Sequence, residues 1–396
     1  MTEILLTIFF ISVLLFFLGS GIWVALSMIG VSAIGMMLFT SRPVGDAMAT
    51  TIWGTSSSWT LTALPLFVWM GEILFRTKLS ENLFKGLSPW MQKLPGGLIH
   101  VNVVGCALFA AISGSSAATV ATVGKMSIPE LRKRNYPEKI LLGSLAGSGT
   151  LGLLIPPSII LIIYGVAVQE SIAKLFIAGI IPGIMIALIF MSYVIIWSLI
   201  NKKSMPKIIE EYSFFEKIKR SKQLLPVIIL ILAVIGSIYT GIATATEAAS
   251  LGVVGALILS YFQKSLTLKT FKSSLLGATK TSCMIAFILA GSTFLSLAMG
   301  FTGLPRNLAL WIQNMELSPY VLIFVLMIFY IILGMFLDGI SAVVLTMAII
   351  EPMIRQAGFD MIWFGIFLVI VVEMAQITPP VGFNLFVLQG MAKKDM

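Results

Sequence analysis

The chain has 396 residues, of which 58% are hydrophobic and only 11% are charged, and its net charge is +9. Because a soluble globular domain carries about 25% charged residues, this composition excludes a soluble fold and indicates an integral membrane protein with many helices. The positive charge requires no nucleic-acid partner, since basic residues collect in the cytoplasmic loops of membrane proteins.

Apolar runs near the ~20 residues that span a bilayer recur along the whole chain. The first run has no basic region before it and continues into a second, which is typical of a membrane helix rather than of a cleaved signal peptide. The predicted spans, in chain order, are 4–18, 21–39, 60–75, 140–168, 175–199, 224–242, 247–262, 281–300 and 362–390. Segment 76–97 mixes aromatic and charged residues and predicts a pair of amphipathic helices at the membrane surface.

A basic linker, 201–222, divides the chain into two halves that carry the same landmarks in the same order. The motif SGSSAA (113–118) corresponds to DGISAV (338–343), with Gly114 paired to Gly339 at a spacing of 225 residues. Three proline pairs follow at a spacing of 223, namely Pro129 with Pro352, Pro156 with Pro379, and Pro157 with Pro380. Landmarks kept in register over about 80 residues indicate an internal duplication.

The placement of basic residues predicts that the two copies are inverted. If linker 201–222 is cytoplasmic, 22 of the 26 Lys and Arg residues fall on its side of the membrane, as the positive-inside rule requires. The segments on that side are 76–97, 125–139, 264–280 and 393–394 together with the linker. Segment 125–139 holds five basic residues and its counterpart near 346–362 holds one, so equivalent loops lie on opposite sides, as in many secondary transporters.

The same charge pattern decides the topology of two further apolar stretches, 98–124 and 320–350. Segments 76–97 and 125–139 can share one side only if 98–124 enters the membrane and returns, which predicts a re-entrant hairpin with its turn near 113–116. By the same argument 320–350 is a hairpin that enters from the other face and turns near 338–341. Arms of about 12–18 residues suit a half-crossing.

The hairpin turns and the Pro-Pro pairs are the candidate functional sites. Irregular backbone at membrane depth is tolerated only where protein buries it or where it lines a wet cavity. Ser and Thr hydroxyls and freed carbonyls can coordinate a cation, and a Pro-Pro pair inside a span breaks the helix and releases carbonyls. A small-residue packing face at SGSSAA and simple kinks at the prolines are the structural alternatives.

Few charged residues fall within the predicted spans. An intramembrane carboxylate is expensive and usually functional, so Asp338 is interpreted as an ion-site or site-organising residue. Glu247 fits a favourable charge in the first turn of a helix. Glu72 and Glu373 are expected to pair with Lys or Arg elsewhere, and His100 is interpreted as an interfacial polar residue.

Enzymatic functions have little support in the sequence. The motif GSS and the single His100 are thin support for an intramembrane serine protease, which needs a base within hydrogen-bond reach of its serine. No phosphate-binding loop occurs, which excludes ATP hydrolysis by this chain. We therefore predict no enzymatic activity and no cofactor, and favour transport that an ion gradient drives.

With these motifs the sequence resembles the large membrane subunit of tripartite ATP-independent periplasmic (TRAP) transporters, the DctM-like proteins of the ion-transporter superfamily. The resemblance covers essentially the whole chain. It rests on SGSSAATVATVG (113–124), PELRKRNY (129–136), GLLIPPSIILIIYGV (152–166), ESIAKLFIAGIIPG (170–183), TATEAASLGVVGALI (244–258), GMFLDGISAVVL (334–345) and ITPPVGFNLFVLQG (377–390).

The resemblance implies a sodium-driven importer of an organic acid in the bacterial inner membrane, with its N-terminus in the periplasm. It also implies a small four-helix membrane subunit and a periplasmic solute-binding protein as partners, and an elevator-type transport domain that slides against a scaffold. The sodium and substrate sites it implies are Ser113, Gly114, Ser115 and Ser116 with Ile155, Pro156 and Pro157, and Asp338, Gly339 and Ser341 with Thr378, Pro379 and Pro380. The main alternative is an ion-coupled carboxylate transporter of the same superfamily that needs no binding protein.

The predicted fold class is an all-α polytopic membrane protein of two inverted repeats, each with a re-entrant hairpin and a Pro-Pro-broken helix. Scaffold helices and arms are predicted at 1–97 and 224–319, and the transport domain at 98–174 and 320–396, joined by the span and linker 175–223. The first copy continues to another span, 175–199, which has no counterpart after QGMAKKDM, so we expect that a last helix is missing.

Overall fold

The computed structural model of the protein describes residues 2–77, 79–206, 212–303, 305, 307, 310, 318–379 and 382–392. Within these residues the regular structure is helical, which confirms the predicted all-α membrane fold. Four described helices are long and apolar enough to cross a membrane, and seven spans result if each of three bent helix pairs counts as one. Shorter apolar helices account for the remaining predicted spans.

The helices are numbered in chain order. The first half contains α1 (Thr2–Gly19), α2 (Val24–Phe39), α3 (Val44–Ser56), α4 (Ala63–Phe75), α5 (Leu79–Met91), α6 (Ile99–Ser113), α7 (Ser116–Lys133), α8 (Glu138–Gly149), α9 (Leu151–Leu154), α10 (Ile159–Ala167) and α11 (Ile172–Ile200). The second half contains α12 (Phe214–Ser221), α13 (Leu225–Tyr239), α14 (Ala245–Phe262), α15 (Leu268–Thr302), α16 (Pro319–Gly334), α17 (Gly339–Gln356), α18 (Met361–Ala375) and α19 (Phe383–Ala392).

Apolar side chains on the outer helices face outward, as a bilayer requires. Ile181 on α11 is 77% exposed and Leu232 on α13 is 65% exposed. Contact with lipid removes these apolar side chains from water, which is favourable by roughly 25 cal/mol per Å² of apolar surface. Buried side chains from both halves of the chain form one large apolar core inside this outer layer.

Three of the predicted basic segments assemble at one end of the molecule. Arg76 donates to Ser273 Oγ over 3.1 Å, which joins the end of α4 to the start of α15. Trp90 donates to Ser221 Oγ over 2.7 Å, which joins α5 to α12 in the basic linker. We call the end of the molecule that carries Arg76, α5, α12 and the start of α15 the basic end.

Helices α6 and α7 form the predicted first hairpin. The N–H of Leu98, just before α6, donates to the hydroxyl of Tyr136, just after α7, over 3.0 Å, so both arms start and finish at the same end. In the second hairpin, Tyr330 on α16 and Thr346 on α17 share a 2.6 Å hydrogen bond at positions equally distant from Asp338. The structure therefore confirms that both stretches fold back on themselves at the predicted turns.

Three local expectations were wrong. Segment 76–97 contains one described helix, α5, followed by turns through Pro95 and two glycines, rather than a pair of helices. Helix α3 was not predicted, because its residues include too many Thr, Ser and Gly for an apolar run. Helix α15 extends 35 residues, far beyond the predicted 281–300, since its first three turns carry lysines that a hydropathy criterion rejects.

Candidate ion and substrate site

The first hairpin tip is a short irregular stretch between two helix ends. Helix α6 ends at Ser113, and the Ser115 side chain caps α7 by accepting the N–H of Ala118. Ser113 Oγ lies 2.9 Å from Thr119 Oγ1, which also donates to the Ser115 carbonyl over 2.8 Å. The hydroxyls thus satisfy the backbone that the turn frees, as a chain reversal inside the membrane requires.

Gly114 allows this tip to lie directly against the first proline break. Its φ of +59° is left-handed, and a Cβ there would lie 2.8 Å from the Pro157 carbonyl oxygen. The Ile159 N–H donates to the Gly114 carbonyl over 3.3 Å. Only glycine combines this backbone conformation with such a close approach.

The first Pro-Pro pair separates α9 from α10, as predicted. Ile155 is extended after α9, and Pro156 and Pro157 have no N–H to continue the helical ladder. Ser158 then caps α10 and also donates to the Leu153 carbonyl. This serine satisfies part of the freed backbone. Pro157 lies against the tip at Gly114, whereas Ile155 and Pro156 lie beside Gly183 and Gly179 of α11.

The second hairpin tip is capped by a carboxylate. Asp338 accepts the Ser341 N–H over 3.1 Å at the start of α17, and its side chain is exposed while Gly339 and Ser341 are buried. Asp338 thus has the same capping role as Ser115, 223 residues earlier.

This correspondence corrects the pairing of the two tips. Helices α7 and α17 both have 18 residues, and their internal prolines, Pro129 and Pro352, are also 223 residues apart. The pairing of Gly114 with Gly339 at 225 is therefore two residues out of register. A glycine lies next to each capping residue, but Gly114 precedes Ser115 whereas Gly339 follows Asp338. Pairing the two glycines therefore shifts the register by two residues.

The second break lies between α18 and α19. Thr378 Oγ1 donates to the Met374 carbonyl over 2.7 Å, and the Asn384 N–H donates to the Gln376 carbonyl over 3.2 Å. Pro379 is exposed, and Pro380 lies outside the described residues.

Gln376 joins the two tips and was missed by sequence reasoning. Ser116 Oγ in the first tip donates to Gln376 Oε1 over 2.9 Å, across 260 residues of chain, and both side chains are buried. A Cβ on Gly339 in the second tip would lie 2.4 Å from Gln376 Nε2. The available signal was its position three residues before a Pro-Pro pair. The first half has no polar residue at the corresponding position, where Leu153 stands.

Both tips line one cavity of about 1260 Å³. Six of the site residues predicted from the sequence line this cavity: Ser113, Ser115, Ser116, Asp338, Gly339 and Ser341. From the tips the cavity extends along α4 and α15 to the basic end, where Glu72, Phe75, Lys280 and Cys283 line it. Of the other predicted site residues that the structure describes, Gly114, Ile155, Pro156, Pro157, Thr378 and Pro379 do not line this cavity.

The other charged candidates have separate roles. Glu72 pairs with Arg76, as expected, whereas buried Glu373 has no hydrogen-bond partner among the described residues. Glu247 forms a capping box with Thr244 at the start of α14. His100, at the start of α6, is fully buried within the protein and lies 2.8 Å from the Pro95 carbonyl.

A likeness to a solved structure supports the fold. The crystal structure of the Alcanivorax borkumensis YdaH transporter matches with a TM-score of 0.64, covering 96% of this chain and 90% of that one, at 13% sequence identity. At that identity the likeness concerns the fold alone.

Sequence comparisons give the family. The chain is 33% identical over 357 residues to the C4-dicarboxylate TRAP transporter large permease protein DctM of Pseudomonas aeruginosa, covering 90% of this chain and 82% of that protein. It is 30% identical over 380 residues to the isethionate TRAP transporter permease protein DctMQ of Oleidesulfovibrio alaskensis, covering 95% and 59%. A family model described as the tripartite ATP-independent periplasmic transporter, DctM component, matches residues 9–396. The chain therefore belongs to the DctM family of TRAP transporter large permease subunits and is a multi-pass membrane transport protein rather than an enzyme.

Proposed function

We propose that this subunit couples the uptake of an organic acid to the entry of sodium ions. The observation that carries the proposal is the meeting of both hairpin tips on one cavity, joined by the hydrogen bond from Ser116 to Gln376. A single site that both halves of the chain build can respond to ion and solute together. Such sites lie at the repeat interface of many secondary transporters.

The two tips supply the ligands that sodium prefers. Hydroxyl and carbonyl oxygens of Ser113 to Ser116 would hold one ion, supported by the break at 155–157. Asp338 and Ser341 would hold the second, supported by the break at 378–380. Hard cations favour such oxygen ligands.

The solute would bind between the tips. Helices α7 and α17 both begin at the cavity, at Ser116 and Gly339. The N-terminus of a helix carries a partial positive charge and free N–H groups that favour anions. Two such ends with two bound sodium ions would attract a carboxylate.

The basic end would face the cytoplasm of the bacterial inner membrane, because basic residues collect there. This orientation places the N-terminus in the periplasm and makes the cavity at the basic end an inward-facing path. The hairpins and broken helices would form the transport domain of two inverted repeats. This domain would slide past a scaffold that includes α4, α14 and α15, so that the cavity opens to either side in turn.

The partners follow from the family. We propose that a small four-helix membrane subunit and a periplasmic solute-binding protein work with this chain. The names of its relatives refer to C4-dicarboxylate and to isethionate, which are both anions of organic acids, so the solute class is an organic anion.

Reconstitution tests the proposal. The complex with its small subunit is placed in liposomes, the binding protein is added outside, and the uptake of radiolabelled succinate or isethionate is measured with an inward gradient of sodium or potassium. We expect uptake only with sodium and binding protein. Asp338→Asn should lower the apparent sodium affinity about tenfold or more, whereas Asp46→Asn, on α3 and outside this cavity, should not.

Two outcomes would contradict the proposal. Equal uptake with potassium would exclude sodium coupling. Full uptake without the binding protein would favour the alternative, a transporter of the same superfamily that captures its solute directly.

A further inference from the structure

The cavity that the tips line has one cationic side chain without an ion pair. Among its described lining residues the charged ones are Glu72, Asp338 and Lys280. Glu72 pairs with Arg76, and Asp338 accepts the Ser341 N–H. Lys280 is exposed to the cavity and has no ion-pair partner among the described residues.

Helix α15 places Lys280 between the basic end and the tips. Near the start of α15, Ser273 bonds Arg76, and Gly277 contacts the Glu72 carboxylate. Lys280 lies one turn further on, and the lining continues along the same helix to Ile288, a rise of about 12 Å. One turn later, Ser292 Oγ donates to the Val344 carbonyl on the second hairpin arm over 2.6 Å.

An anion that leaves the tips toward the basic end must therefore pass Lys280. The rest of this part of the wall is mainly apolar, formed by residues such as Phe75, Met284 and Phe287. An organic anion would lose part of its hydration there without an opposite charge to compensate. A lysine ammonium on a flexible stem can follow the anion over several ångströms.

We propose that Lys280 is the counter-charge that receives the solute's acidic group on its path between the tips and the basic end, which rests on the proposed transport of an organic anion. Lys280 is then a positioning residue that sets the preference for anionic solutes. Because α15 belongs to the proposed scaffold, this charge stays in place while the tips move.

A native thiol provides a direct probe. Cys283 is exposed, lines the cavity and lies one turn from Lys280, whereas Cys106 is buried. At about 6 Å in water a unit charge changes the local concentration of a singly charged reagent about threefold. The measured quantity is the ratio of the labelling rates of Cys283 by an anionic and by a cationic methanethiosulfonate. This ratio should be roughly tenfold higher in the unmodified protein than in Lys280→Gln at low salt.

The experiment compares Lys280→Gln and Lys280→Arg with Lys272→Gln, a change on the same helix outside the cavity lining. The purified complex is labelled with both reagents, with Cys283→Ser as the background, and uptake of succinate is measured in liposomes. We expect Lys280→Gln to lower the anionic-to-cationic labelling ratio about tenfold and to raise the apparent KM for succinate several-fold. Lys280→Arg and Lys272→Gln should behave like the unmodified protein.

Each readout can overturn the proposal separately. An unchanged labelling ratio in Lys280→Gln would show that this ammonium does not attract anions in the cavity. A changed ratio with an unchanged KM would show that the solute does not use it. If the unmodified complex transports neither succinate nor isethionate, the proposed function fails, while the labelling ratio still tests the charge at Lys280.

Discussion

Gly114 offers the sharpest test of the first tip, because two independent penalties meet at one position. Replacing it with alanine puts a Cβ on a residue with a φ of +59°, which costs about 1–2 kcal/mol. The new Cβ would also lie 2.8 Å from the Pro157 carbonyl oxygen and 3.1 Å from the Ile159 N. Both neighbours are backbone atoms that cannot rotate away, and overpacking of this kind costs about 1–3 kcal/mol.

We therefore expect Gly114→Ala to lower the free energy of unfolding by about 2–5 kcal/mol. The measurement is denaturation of the purified complex in mixed micelles with increasing SDS, followed by tryptophan fluorescence. Gly143→Ala is the matched control, since a Cβ at this position on α8 meets nothing within 4 Å. Inside a helix this control should be neutral or stabilising by up to about 1 kcal/mol.

The two variants must differ for the reasoning to hold. If Gly114→Ala unfolds at the same SDS concentration as Gly143→Ala, then the first tip does not lie against the proline break as described. A loss of uptake with unchanged stability would instead assign Gly114 to solute or ion binding.

Three further predictions concern contacts between distant parts of the chain. Ser116→Ala and Gln376→Ala should couple in a double-mutant cycle by about 0.5–1.5 kcal/mol in unfolding free energy, and a zero coupling would refute their hydrogen bond. Ser292→Ala removes the 2.6 Å hydrogen bond to the Val344 carbonyl and should destabilise this arrangement of scaffold and hairpin by about 1 kcal/mol. The measurement is labelling of Cys283 in the cavity, which should slow by up to about fivefold. Unchanged labelling would contradict the prediction. Burial raises the pKa of Tyr136 above its ordinary value of 10.0, so the stability that its neutral form contributes is present below pH 10 and is lost as the pH rises through the raised pKa. Tyr136→Phe should lose about 1 kcal/mol at neutral pH and flatten this alkaline decline in thermal denaturation, and equal declines would refute the assignment.

The sequence by itself determined the membrane class, the helical hairpins and the helix breaks. The membrane class and the helix breaks depend on residues close together in the chain, and the hairpins depend on which loop segments carry the basic residues. Apolar runs select membrane helices, Pro156 and Pro157 remove two donors in succession, and Ser115 and Asp338 cap helices through N–H groups three residues ahead. Local chemistry of this kind does not require knowledge of what packs against it.

The tertiary structure alone decided which side chains form the site. Gln376 bonds Ser116 across 260 residues, and no local pattern specifies that docking. In the sequence Lys280 is one of several basic residues in segment 264–280, and nothing distinguishes it from the others. The packing of α15 against α4 places it in the cavity lining. The register of the two tips also required their backbone, because a cap is defined by the dihedral angles and N–H groups around it rather than by the neighbouring glycine. Contacts between distant segments depend on how complete helices pack, so their partners become visible only when the core has formed.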